Sequence, residues 1–282
     1  MSRSARRRGR IFALVVVSLA GVARGLSSQV SVDELEVRIP LKRGTTTVSD
    51  VFHVANSAAT PSQANISIQD WDRSEQGENR YYPLGTMPNS CGSRIKVFPS
   101  VLQLGPRSTQ TVRVTIDSAA SIQSGCYAIL FVETPPPPRT ANGPALVYTI
   151  RYGVKIYVER DVALAAEVED MVVASPDPRP TPATTGTAGD APKQDTALKR
   201  VLITYRNTGG RQTLTHGTLE VRRPDNSLVT KVEVPEFPTL PGATRRLGVT
   251  LPRLERGKYV LLALLDYEGA EIAAAQVELE IP

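Results

Sequence analysis

Apolar and polar residues alternate with a period of two along most of the chain. Residues 30–39 alternate and run into a turn at Lys42-Arg43-Gly44, and residues 46–55 alternate again up to Asn56-Ser57. The series continues at 64–71, 95–98, 109–116, 126–132 and 145–158. Successive side chains of a strand point to opposite faces, so the pattern predicts half-buried strands. No window there supports an amphipathic helix of useful length. Seven or so strands at short spacing predict an immunoglobulin-like sandwich over 26–160. A second series at 162–174, 198–205, 217–221, 228–234, 244–251, 258–267 and 273–281 predicts another over 161–282. The expected fold is all-β, two immunoglobulin-like β-sandwiches in tandem, which suits a chain of 282 residues.

Two segments break the alternation. Residues 175–196 hold five prolines and no large apolar side chain, so they cannot bury a core. They are expected to form a flexible loop inside the second domain, with an interdomain linker as the alternative. At the amino terminus, basic residues 3–10 precede a thirteen-residue apolar run and the small residues Ala23 and Gly25. That layout predicts a secretory signal over 1–25, because the run is too short to span a bilayer comfortably. The remainder is expected to be exported and periplasmic.

Charge then changes meaning. The formal +5 contains six arginines of residues 1–25, and without them the chain stands at −1. No clustered basic face remains to suggest nucleic acid. Two cysteines and two histidines argue against a Cys/His zinc site. His53 lies mid-strand and His216 in a Thr-His-Gly turn, both read as structural or solvated. Asp70, Asp72, Glu75 and Glu78 read as a solvated polar connection. No nucleophile elbow or phosphate-cradling loop appears, so no enzyme activity, cofactor or small-molecule substrate is expected. Cys91 and Cys126, the only pair, are expected to form a disulfide in an oxidising compartment. Without a Cys-x-x-Cys spacing it would be a staple and no redox centre.

The most informative stretch is 131–157. A strand runs into four prolines, a small polar tip and a long return strand. Leu146, Tyr148, Ile150, Tyr152 and Val154 share one face of that strand by the period-two rule, and Gly153 marks a suspected bulge. Such a strand can be simple sandwich core, or an edge that adds a partner's extended segment.

Residues 28–160 resemble the N-terminal domain of periplasmic pilus-assembly chaperones of the chaperone–usher type. The resemblance rests on Val30-Ser-Val-Asp33, the Asn56 turn, Ile95-Lys-Val-Phe-Pro99, the run 104–113, the proline-rich loop, the alternating strand and Lys155. It implies that Leu146, Tyr148, Ile150 and Tyr152 form a strand donated to a secreted pilus-type subunit. It also implies that Lys155 anchors the subunit's terminal carboxylate. The arginine expected on the first strand is replaced by Glu36, which would repel that carboxylate, so Arg38 on the same face is expected to supply the second charge. The implied function is a periplasmic chaperone for pilus or fimbrial subunits, working with an outer-membrane usher where one exists. The alternative is a structural or adhesive module of the cell envelope.

Overall fold

The computed structural model describes residues 30–136, 149–174 and 198–282. The expected signal segment, Leu146, Tyr148 and the proline-rich stretch 175–196 lie outside the described residues. The chain is all-β, with strands over most of the described length and only single 3-10 turns besides. No helix among the described residues is long and apolar enough to cross a membrane.

The first sandwich contains β1 (Val30–Val32), β2 (Glu36–Leu41), β3 (Thr47–Asn56), β4 (Ser62–Arg73) and β5 (Asn79–Pro83). They are followed by β6 (Ile95–Phe98), β7 (Val101–Leu104), β8 (Thr109–Asp117), β9 (Gly125–Glu133) and β10 (Arg151–Arg160). One sheet has the order β1-β3-β8-β6; the other runs β2-β10-β9-β4-β5, with β7 also on β4. Phe52, Val112, Val114 and Ile116 of the first sheet meet Leu130, Val154, Ile156 and Val158 of the second in one apolar core. The alternation is this core seen from the sequence, since each second residue leaves water. Cys91 and Cys126 are joined by a disulfide buried within it, with Cα atoms 4.8 Å apart.

Three local readings are corrected. The run 30–39 is not one strand: β1 pairs with β3, and β2 pairs in parallel with β10 across the sandwich. Asp33 holds the crossing, since its Oδ1 accepts from the His53 amide at 2.7 Å and its Oδ2 lies 2.7 Å from His53 Nδ1. Asp70 is not solvated. It is wholly buried and accepts from the Thr86 and Met87 amides and from Ser90 Oγ, organising the loop after β5. Asp72 takes a bidentate contact from Arg80 on the neighbouring β5.

The second sandwich comprises β11 (Ala166–Ala174), β12 (Arg200–Asn207), β13 (Thr213–Arg222), β14 (Leu228–Thr239), β15 (Thr244–Thr250), β16 (Gly257–Asp266) and β17 (Ala273–Ile281). Its sheets have the orders β11-β12-β15 and β14-β13-β16-β17. β11 and β12 are antiparallel neighbours with Ala174 opposite Arg200, so the intervening chain joins two strands of one sheet. His216 is in a strand and not in a turn. The register slips between Thr215 and Gly217, where a side chain would come within 2.1 Å of Leu264 O. Only glycine fits that approach.

Both sandwiches close one corner with a buried asparagine. Asn56 Nδ2 donates to the carbonyls of Thr60 and Gly105, and its Oδ1 accepts from the Ala58 amide. Asn207 Nδ2 donates to Arg211 and Thr239, and its Oδ1 accepts from the Gly209 amide. The same i+4 and i+2 contacts recur, each satisfying backbone groups that a turn leaves unpaired.

Candidate partner-binding edge and interdomain cleft

β10 is the strand on which the expected site depends, and its two halves differ. Arg151 to Glu159 pair with β9 without a break in register, so Gly153 is not a bulge. A Cβ at Gly153 would lie 2.9 Å from Ile129 Cδ1 and 3.3 Å from Phe131 Cε1, so the glycine admits side chains of β9. On the other side, β2 pairs only with Lys155 to Arg160. Among the described residues, no strand pairs with Arg151–Val154 on that side. Lys155 donates its amide to Leu35 O, at the start of the covered half. Because N–H and C=O groups alternate sides along a strand, Arg151 and Gly153 turn theirs toward the open side.

The apolar face of β10 emerges gradually from the core. Val154 is fully buried, Tyr152 packs partly buried against the core, and Ile150, just before the strand, is 38% exposed. One alternating face therefore serves as core at one end and as exposed surface at the other. Leu146 and Tyr148 lie outside the described residues.

The opposite face of β10 looks into the junction between the sandwiches. Tyr157 packs edge-on against Trp71 and Tyr127, with Phe131, Ile129 and Leu240 of the second sandwich completing the cluster. Gln212 donates its amide to Glu159 at 2.8 Å, and Arg246 donates its amide to Glu75 O at 2.8 Å. Beside these contacts a cleft of about 720 Å³ opens, lined by Trp71, Arg73, Met87, Tyr127 and Leu240 among others.

Lys155 and Arg38 both reach this region. Lys155 has a side chain 15% exposed, with Nζ 3.7 Å from Glu36 Oε1 and 5.1 Å from the Trp71 ring centroid. Burial pushes its pKa down, Arg73 adds to that, and Glu36 opposes it. Glu36 stands directly opposite Lys155 in the parallel pair and accepts from Tyr157 Oη. Arg38 lies 3.3 Å from Glu36, 3.9 Å from Glu159 and 3.0 Å from Gln212 Oε1, with its guanidinium over the Tyr157 ring. Thus the residue expected to repel a partner's carboxylate sits between the two cations expected to attract it. Sequence reasoning missed Trp71, Arg73 and Gln212 at this place. Only the alternation of Trp71 with Arg73 near the end of β4 could have hinted at them.

Among the described residues, no group of three His, Cys, Asp or Glu side chains is placed to hold a metal. No family model matches the sequence, and no curated protein matches it. Solved structures do share the fold. A crystal structure of the class 5 fimbriae chaperone CfaA matches at TM-score 0.50 and 13% identity, over 90% of this chain and 99% of that one. A chaperone–tip adhesin complex of CFA/I fimbriae matches at TM-score 0.50 and 13% identity, over 90% of this chain and 100% of that one. The likeness covers both sandwiches, and at this identity it is a likeness of fold.

Proposed function

We propose that this protein is an exported chaperone that captures a secreted pilus-type subunit by β-strand addition along β10. The observation that carries this reading is the half-covered strand. Among the described residues no strand covers the side to which Arg151 and Gly153 turn their N–H and C=O groups, and the core-facing row of the strand continues into exposed Ile150. An extended partner segment would gain main-chain hydrogen bonds at the open side and selectivity from pockets for alternate side chains. Leu146, Tyr148, Ile150 and Tyr152 supply those side chains. Apolar burial contributes about 25 cal/mol per Å², so no nucleotide is needed.

Lys155 takes the partner's terminal carboxylate. Arg38 holds Glu36 and draws it aside from Lys155 as the ligand enters, which turns an apparent repulsion into an exchange of partners. The fold likeness to a fimbriae chaperone and to a chaperone–adhesin complex supports the choice of client class. Export through the signal expected at 1–25 places this work in the periplasm, with an outer-membrane usher as the recipient. Co-purification of a fimbrial-type subunit, co-expressed with wild type and with Lys155→Ala, tests the reading. Recovery with wild type and loss with the variant are expected. Equal recovery from both removes the anchor, and no recovery from wild type removes the chaperone function.

A further inference from the structure

The second sandwich has an edge that the proposed function does not use. β14 is the outermost strand of its sheet, and among the described residues β13 is the only strand that pairs with it. The row of N–H and C=O groups on its other side is a template for a further strand. Leu228 and Val229, at the start of the strand, are exposed. Pro235 has no N–H to give, so it limits the usable edge to the stretch from Leu228 to itself.

The charges on this stretch complement themselves, unlike those on the other outer strands of the same domain. β11 exposes Glu167, Glu169 and Asp170, β17 exposes Glu278 and Glu280, and β15 carries Arg245 and Arg246 with no acid. A second copy of any of these would set like charges together, which is destabilising. β14 instead exposes Lys231 and Glu233, one of each sign on one face. Neither has an ion-pair partner among the described residues, and Glu220, opposite Lys231 on β13, is held by Arg222 at 2.6 Å. Laid antiparallel about Val232, two β14 strands oppose each Lys231 to the other copy's Glu233, twice over. Thr230 then meets Val234, and Val229 meets Pro235. Moving the two-fold axis by one residue either way sets Lys231 against itself or Glu233 against itself. Charge therefore selects one register.

We infer that the chain pairs with a second copy of itself along β14, as a two-fold dimer that joins the two β14-β13-β16-β17 sheets edge to edge. Val232 is about 26 Å along the chain from Leu240, at roughly 3.3 Å per residue. Leu240 packs at the domain junction, so the pairing stretch lies away from the cleft. The inference stands apart from strand addition, since it needs no client and uses no residue of β10.

Sedimentation velocity of the purified protein over a concentration series tests this. A short ribbon makes a small interface, so dimer is expected to appear at about 10–100 μM. Lys231→Glu and Glu233→Lys should each stay monomeric there, because each sets like charges in both pairs. Mixed in equal amounts, the two variants should dimerise again, since each supplies the charge that the other lacks. Wild type that stays monomeric, association that survives both charge reversals, or a mixture of folded variants that does not associate overturns the inference. Association that appears only when a subunit is added makes the edge a partner contact and overturns self-pairing. Where a charge variant does not fold, Val232→Cys decides. Residues facing each other across the axis are close enough for a disulfide, so that variant should cross-link to its own copy on oxidation. No cross-link overturns the inference.

Discussion

The two sandwiches share a corner and differ at their edges. Asn56 and Asn207 make the same contacts two and four residues on, so the domains solve the turn problem identically. β17, the outermost strand of its sheet, carries exposed Gln276, Glu278 and Glu280 along one row. The part of β10 that no second strand covers among the described residues holds one charge, Arg151, which is paired with Glu133 and stacked on Phe131. Charged rows on edge strands discourage pairing with other chains. Among the described residues the β17 edge is guarded by charge and the β10 edge is not, which is the difference that the proposed strand addition requires.

That comparison can be broken most forcefully at the disulfide, which only the first sandwich has. Replacing Cys91 and Cys126 with Ala should cost that domain about 3–4 kcal/mol on the chain-entropy model. The second domain should melt unchanged. Two calorimetric transitions, one moved and one fixed, check this. The shared corner is sharpened by Asn56→Ala and Asn207→Ala. Each leaves several carbonyls and an amide unpaired in a buried site, a loss of about 2–3 kcal/mol. Denaturant midpoints should fall to a similar extent in each variant's own domain.

Most of this architecture was legible in advance. The period-two pattern placed nearly every strand of the second sandwich, because its alternating residues do face a core. What was missed has a common cause. Val30 is buried and Val32 half-buried on even positions, whereas Val37, Ile39 and Leu41 are buried on odd ones, so the phase flips where the chain changes sheet. Ile95 and Val97 against Leu102 and Leu104 show the same flip between β6 and β7. An alternation read run by run hides such a crossing. β5 was invisible because Asn79-Arg80-Tyr81-Tyr82-Pro83 buries no residue and is held by pairing with β4. The cleft was harder still. Arg73 and Leu240 are 167 positions apart, and no local pattern announces that they will line one cleft.

Smaller effects probe the open edge itself. Ile150→Asp alters an exposed position and should change stability by no more than about 0.5 kcal/mol, while abolishing subunit capture in a pull-down. A variant that unfolds the domain would make Ile150 core and remove it from the donor face. The smallest effect concerns the crossing between β1 and β2. Slight burial raises the Asp33 pKa, but hydrogen bonds from His53 outweigh it and hold the carboxyl below its ordinary value. Its contribution is therefore present above pH 3.8 and lost as the pH falls through the folded value. Asp33→Asn should flatten the acid side of the stability profile, measured by thermal melts from pH 6 downward.

Amide hydrogen exchange at β10, with and without a bound subunit, tests the central claim most directly. In the free protein the Arg151 and Gly153 amides should exchange quickly, while Tyr152 and Val154, turned toward β9, are protected. Binding of a subunit should protect Arg151 and Gly153 and leave the β9-facing amides as they were. Unchanged exchange at Arg151 and Gly153 in a confirmed complex would contradict strand addition at this edge.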